Sequence, residues 1–125
     1  MKKRILVIDD EQSVGELIKV LLTRDGYDVT TAANGREALK QVEILRPDLV
    51  ITDITMPDME GMELISILRK QHGDLPIVAM SGNVVGRSFL KVTEVLGAAA
   101  TLNKPFSTQE LTDVVRAALP SIEPD

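Results

Sequence analysis

The sequence predicts an α/β domain of the (βα)5 kind: an open, doubly wound parallel sheet with helices on both faces. Three observations predict it. Short runs rich in apolar and β-branched residues alternate with longer runs of helical spacing, five of each. Several of the short runs are almost continuously apolar, as strands covered on both faces are. Strict alternation implies right-handed crossovers between parallel neighbours, and five units are too few to close an eight-stranded barrel.

The first strand is Ile5-Leu6-Val7-Ile8, preceded by the basic run Lys2-Lys3-Arg4, read as a solvated end. In the first helix Val14, Leu17, Ile18, Leu21 and Leu22 repeat at i, i+3, i+4, i+7 and i+8, and Gly26 is placed to close it. Val29 to Ala32 is the second strand. Asn34 caps the second helix, whose apolar stripe is Ala38, Leu39, Val42 and Leu45, and Pro47 stops it. Leu49-Val50-Ile51-Thr52 is the third strand. The third helix carries Met62, Ile65 and Leu68 and is closed by Gly73. His72, the sole histidine, falls in its last turn, where a partly positive side chain suits the helix dipole. Ile77 to Met80 is the fourth strand, and Phe89, Val92, Val95 and Leu96 mark the fourth helix, closed by Gly97. Ala99 to Leu102 is the fifth strand. Ser107 to Glu110 reads as a capping box opening the last helix, which carries Leu111, Val114, Val115 and Leu119 and ends at Pro120. The elements make a single domain over residues 1–125, with its core from about residue 4 to 119 and a short tail, 120–125, expected to fray.

Composition narrows the function. In 125 residues, 44% are apolar and 26% charged, which is enough for a core and unlike a disordered chain. A net charge of −5 disfavours direct binding of nucleic acid, which calls for a basic surface. The absence of cysteine removes disulfides, thiol catalysis and thiolate metal sites, and makes the cytoplasm the default compartment. No apolar run approaches the roughly 18 residues of a membrane span, and the apolar stretch after Arg4 stops at two aspartates, so this segment is not expected to act as a signal peptide.

Open α/β sheets bind ligands beyond the carboxyl ends of their strands, at the point where strand order reverses. The first strand is followed by Asp9, Asp10 and Glu11, the third by Asp53, the fourth by Ser81 and Gly82, and the fifth by Asn103, Lys104 and Pro105. In the flavodoxin-like order 2-1-3-4-5 the first and third strands are neighbours, so Asp9, Asp10 and Asp53 converge. Convergent carboxylates repel, and a hard divalent cation with oxygen ligands relieves them. Such a pocket suits phosphoryl chemistry: an aspartate as nucleophile, with Lys104, the Ser81 hydroxyl and Mg²⁺ to compensate the charge spread over phosphoryl oxygens.

These residues resemble the receiver domain of bacterial two-component response regulators, and the chain is similar to the single-domain, chemotaxis-regulator-like members. The resemblance runs from Ile5 to about Leu119. It is carried by Asp9-Asp10, by Asp53 within Thr52-Asp53-Ile54-Thr55-Met56-Pro57, by Gly61 a few residues on, by Ser81, and by Lys104-Pro105-Phe106. It implies that Asp53 accepts a phosphoryl group from a sensor histidine kinase or a phosphotransfer protein. Asp10 is then a direct Mg²⁺ ligand (Mn²⁺ being able to substitute), with Asp9 assisting, and Asp53 and the Thr55 backbone carbonyl complete the protein's share. Lys104 pairs with Asp53 and later with the phosphoryl group, the Ser81 hydroxyl moves to meet it, and Pro105 matches the family's cis-proline. The output follows from a changed surface formed by the fourth helix, the fifth strand and the last helix, read by a separate output protein or through self-association. A phosphoprotein with no enzymatic turnover beyond its own phosphorylation and dephosphorylation is implied, with no membrane contact.

Two departures from the family stand out. Thr101 occupies the position of the usual aromatic, and Ala99-Ala100 replaces an acidic pair. They shift the expected switching path to Ser81 and the loop from Gly82 to Gly86. The alternatives have distinct marks. An aspartate-nucleophile phosphatase places a second aspartate two residues after the first, where this chain has Thr55. A nucleotide-binding module needs glycine-rich phosphate motifs that are absent. A degenerate receiver, acting as a phosphorylation-independent interaction module, is the remaining alternative. The same residues also suit blander roles: Asp9 or Asp10 as a helix cap, Asp53 as a turn residue, and Met56, Met59 and Met62 as loop and core filling.

Overall fold

A computed structural model describes residues 2–54, 61–81 and 100–119. Five strands, β1 (Arg4–Ile8), β2 (Asp28–Ala32), β3 (Leu49–Asp53), β4 (Ile77–Ser81) and β5 (Ala100–Asn103), form one parallel sheet in the order β2-β1-β3-β4-β5. The described helices are α1 (Gln12–Arg24), α2 (Gly35–Leu45), α3 (Gly61–Gln71) and α4 (Thr108–Ala118). The expected helix around Phe89 to Leu96 and the tail from Pro120 lie outside the described residues. Order reverses between β1 and β3, the neighbours that carry Asp9, Asp10 and Asp53.

The two-residue period of the strands splits the core in two. Leu6, Ile8, Val50 and Ala79 face Ala38 and Val42 of α2 and Leu64, Ile65 and Leu68 of α3. Ile5, Val7, Ile51, Val78 and Met80 face Ile18 and Leu22 of α1 and Leu111 and Val115 of α4. Burial on both faces explains why β1, β3 and β4 read as continuous apolar runs.

Helix ends set where the strand ends point. Asn34 caps α2 by accepting from Glu37 N at 2.8 Å. The capping box of α4 is complete: Glu110 N donates to Ser107 Oγ at 3.0 Å and Ser107 N to Glu110 Oε1 at 2.8 Å. Gly26, at φ 99°, supplies the left-handed residue after α1. Two ends differ from expectation. Gly73 is not left-handed; the Arg69 guanidinium holds the end of α3 by donating to the carbonyls of Gly73 and Leu75 at 2.6 and 3.0 Å. After α2 the left-handed position falls on Arg46, at φ 52°, ahead of Pro47.

Candidate functional site

The hydrogen-bond ladder carries each strand into the site. Asp9 N donates to Ala32 O at 3.1 Å, and Ile54 N to Met80 O at 3.0 Å. Lys104 N donates to Ser81 O at 2.9 Å, extending the β4–β5 pairing by one residue. Backbone pairing thus fixes the Cα positions of Asp9, Asp53, Ser81 and Lys104 independently of their side chains. Thr52, fully buried beneath them, donates its hydroxyl to Asp53 O at 3.0 Å. The Lys104–Pro105 peptide is cis.

Three carboxylates converge at the edge. Oxygens of Asp9, Asp10 and Asp53 lie within 4.8 Å of one another, with Asp9 and Asp53 buried and Asp10 exposed. The Lys104 ammonium enters this cluster from β5. Its Nζ is 2.7 Å from Asp9 Oδ2, 3.1 Å from Asp53 Oδ2 and 3.5 Å from Glu11 Oε1. The expected Lys104–Asp53 pair is present, but the shorter contact is to Asp9. Asp9 also accepts from Glu11 N at 2.8 Å, so it orients the start of α1, whose N-cap residue is Glu11 rather than either aspartate.

The electrostatics follow from this crowding. Burial raises the Asp9 carboxyl above its ordinary range, against the opposing pull of the Lys104 hydrogen bond and the Glu11 amide, and the nearby Asp53 charge adds to the rise. Burial works against the Lys104 ammonium, but its hydrogen bonds to Asp9 and Asp53, and their charges, outweigh burial and raise its pKa above the usual lysine value. Among the described residues, three carboxylates, those of Asp9, Asp53 and Glu11, therefore meet the Lys104 ammonium, with Asp10 beside them. An oxygen-rich, anionic, partly open pocket of this kind is a donor set for a hard divalent cation, which prefers carboxylate, carbonyl and water oxygens. The residues fit such an ion: Asp9, Asp10 and Asp53 would supply the carboxylates.

Ser81 closes β4 next to this cluster and is buried. Thr101, in the place of the family's usual aromatic, is half-buried in β5. Thr55, Gly82 and the loop to Gly86, with Met56 and Met59, lie outside the described residues. His72 sits one residue beyond α3, its Nε2 3.2 Å from Glu43 Oε2 on α2, a cross-helix contact that sequence periodicity cannot reveal. Glu11 stood in the strand-end sequence without a role. Its place at the N-cap, directly after two site aspartates, is the signal that brings it to Lys104.

Comparison with known proteins agrees with this geometry. The response regulator receiver domain family matches residues 5–116. The chain is 42% identical over 120 residues to the alkaline phosphatase synthesis transcriptional regulatory protein PhoP of Bacillus subtilis, covering 95% of this chain and 49% of that protein. It is 36% identical to the transcriptional regulatory protein KdpE of Staphylococcus aureus, over 93% of this chain and 49% of that one. The chain thus spans about half the length of these curated relatives. Among solved structures, the chemotaxis protein CheY4 of Vibrio cholerae superimposes with a TM-score of 0.90 at 30% identity, covering 95% of this chain and all of that one. The response regulator TrrA of Thermotoga maritima, crystallised in complex with Mg²⁺–BeF, gives 0.84 at 39% identity, covering 94% of this chain and 99% of that one. A family match across most of the sequence, the 2-1-3-4-5 sheet and the acidic cluster with its lysine lead to one conclusion: the chain belongs to the response regulator receiver domains, the phosphorylation-accepting signalling domains of two-component systems.

Proposed function

We propose that Asp53 is the phosphoacceptor of this receiver and that Lys104, Ser81, Asp9, Asp10 and the Thr55 carbonyl serve it as the resemblance implies. The observation that carries the reading is the Lys104 ammonium, 2.7 Å from Asp9 and 3.1 Å from Asp53, beside a third carboxylate, Asp10. Asp9, Asp10, Asp53 and the Thr55 carbonyl hold Mg²⁺, or Mn²⁺ in its place. Bound there, the ion supplies charge compensation to the phosphoryl oxygens. The Mg²⁺–BeF complex of TrrA, 39% identical, supports this choice of ion and of a phosphoryl-like ligand.

In the reaction a carboxylate oxygen of Asp53 attacks the donor's phosphorus. A carboxylate–phosphorus bond forms, and the donor's own bond to phosphorus breaks with its electron pair leaving on the donor atom. Asp53 is held for this by the β3–β4 ladder and by Lys104, which draws its carboxylate into one orientation. As charge moves onto the phosphoryl oxygens, Lys104 exchanges carboxylate contacts for phosphoryl contacts. Ser81, at the end of the neighbouring strand, is placed to bring its hydroxyl to a phosphoryl oxygen. The donor is a sensor histidine kinase or a phosphotransfer protein, in the cytoplasm. Among the described residues no helix is long and apolar enough to cross a membrane. Phosphorylation changes affinity for an output protein or a second copy through the face of β5 and α4 and the segment before them. Half-buried Thr101 lacks an aromatic ring to swing there, so we place the signal's path through Ser81.

The test is to incubate the protein with Mg²⁺ and acetyl phosphate and weigh it intact. The expected result is one added phosphoryl group, lost in Asp53→Asn and absent when EDTA replaces Mg²⁺. An adduct that persists in Asp53→Asn, or no adduct in the wild type, contradicts the assignment.

A further inference from the structure

The geometry points to Glu11 as a positioning residue of this pocket: its exposed carboxylate competes with Asp53 for Lys104 and adds charge at the entrance that favours cation binding and hinders a dianionic phosphoryl donor. The inference rests on the roles proposed above for Asp10, Asp53 and Lys104.

Three features single out Glu11. First, it is the N-cap residue of α1, in extended conformation, yet its side chain makes no capping hydrogen bond. Its backbone is held from both sides: its N–H donates to Asp9 Oδ1 at 2.8 Å, and its carbonyl accepts from Val14 N and Gly15 N at 3.0 and 3.2 Å. Second, its carboxylate lies 3.5 Å from Lys104 Nζ, the longest of the three ion-pair contacts that the described residues make to that ammonium. Third, its side chain is 63% exposed, against 0% for Asp9 and 5% for Asp53.

Exposure decides its role. Taking Lys104 away from buried Asp9 or Asp53 removes a charge partner from a carboxylate in a poorly solvated place, whereas the Glu11 carboxylate exchanges the ammonium for water at little cost. An exposed pair of this length adds almost nothing to stability. What it changes is the resting position of the ammonium and the potential at the mouth. Lys104 must turn to a phosphoryl oxygen during transfer, and the contact most easily surrendered is the one to Glu11. Until then Glu11 offsets part of the positive charge that an approaching phosphoryl group meets. A carboxylate here also deepens the potential well for a divalent ion among Asp9, Asp10 and Asp53.

The experiment compares wild type, Glu11→Gln and Glu11→Asp. One arm measures the Mg²⁺ concentration that gives half of the ion's thermal stabilisation, without any phosphoryl donor. The other measures the rate of phosphorylation against acetyl phosphate concentration at saturating Mg²⁺, by intact mass. One unit charge several ångströms away, in a water-like medium, shifts such equilibria by about threefold to tenfold. Glu11→Gln is therefore expected to raise the half-saturating Mg²⁺ by that factor and to lower KM for acetyl phosphate with little change in the limiting rate. Both effects shrink in high salt, and Glu11→Asp, which keeps the charge, restores the wild-type Mg²⁺ value. Equal values for Glu11→Gln and wild type at low salt, or changes that ignore salt, overturn the inference. If the wild type gains no phosphoryl group, or gains one that survives Asp53→Asn, the parent reading fails, and the Mg²⁺ arm still decides the charge role of Glu11.

Discussion

The two edges of the sheet are both lined with charge, and they use it differently. At the amino edge the contacts described for charged groups are made singly, each to its own neighbour. Arg4 N donates to Asp48 Oδ2 and its guanidinium to Leu45 O, both at 2.8 Å, and His72 meets Glu43 at 3.2 Å. A cleft of about 490 Å³ between Val42, Arg46, His72 and Leu75 stays open to water there. At the carboxyl edge Asp9, Asp53 and Glu11 share one ammonium, and the first two are buried. The amino-edge contacts are single and open to water, whereas at the carboxyl edge the described charges are crowded and two of them, Asp9 and Asp53, lie out of solvent's reach, as groups with a chemical task often do.

Removing the shared ammonium breaks that contrast most sharply. Lys104→Met leaves Asp9 and Asp53 facing each other, and truncating one partner of a buried pair costs about 3 kcal/mol. Chemical denaturation in EDTA checks this, and part of the loss returns with added Mg²⁺. The pH dependence has a definite sign. The Lys104 pKa is raised on folding, so its contribution is complete below the unfolded value of 10.5 and is lost as pH climbs through the folded value. The stability gap between wild type and Lys104→Met therefore narrows above that pH. Asp9 runs the other way: its pKa is raised above 3.8, so its ionisation penalises the folded state progressively as pH rises through that interval. A gap that is flat from neutral to strongly alkaline pH contradicts the account of Lys104.

Relieving the crowding is the next smaller change. Asp10→Asn takes one charge from the cluster while leaving buried Asp9 and Asp53 with their lysine. Metal-free Asp10→Asn is expected to be more stable than wild type by on the order of 1 kcal/mol. It also forfeits the stabilisation by Mg²⁺, which for a ligand at a hundred times its Kd is about 2.7 kcal/mol. Thermal melts with and without Mg²⁺ read both, and a variant that keeps the full Mg²⁺ increment removes Asp10 from the site.

The contrast between the edges also explains what could be read in the sequence. The carboxyl edge was legible because strand ends are marked by an abrupt change from apolar to charged residues, as at Ile8-Asp9 and Thr52-Asp53, and topology alone brings those ends together. Ala32 and Asn34 follow the same rule with no chemistry to offer, and the structure puts their strand at the sheet's rim. The amino edge was illegible for the complementary reason. Gly73 suggested a left-handed cap that the Arg69 guanidinium makes unnecessary, and nothing in Arg46-Pro47 announces a left-handed arginine. The partner of His72 is 29 residues away on another helix. Glu11 is the intermediate case: visible as the third acid after β1, but tied to Lys104 only by a helix start where Asp9 accepts the Glu11 N–H and the Glu11 side chain makes no cap bond.

The smallest expected effect belongs to the amino edge and completes the comparison. Glu43→Gln removes the charged partner of His72 while preserving its size. The pair is exposed, with side-chain accessibilities of 34% for His72 and 64% for Glu43, so solvent screens it and α2 remains anchored through buried Ala38 and Val42. The expected loss is about 0.3 kcal/mol, indifferent to Mg²⁺, since the pair lies at the opposite ends of the strands from Asp53. Denaturation of Glu43→Gln at two Mg²⁺ concentrations measures this. A Mg²⁺-dependent difference would mean that the two edges are coupled through α2 and α3, and the division between structural charge and functional charge would have to be redrawn at the level of the helices.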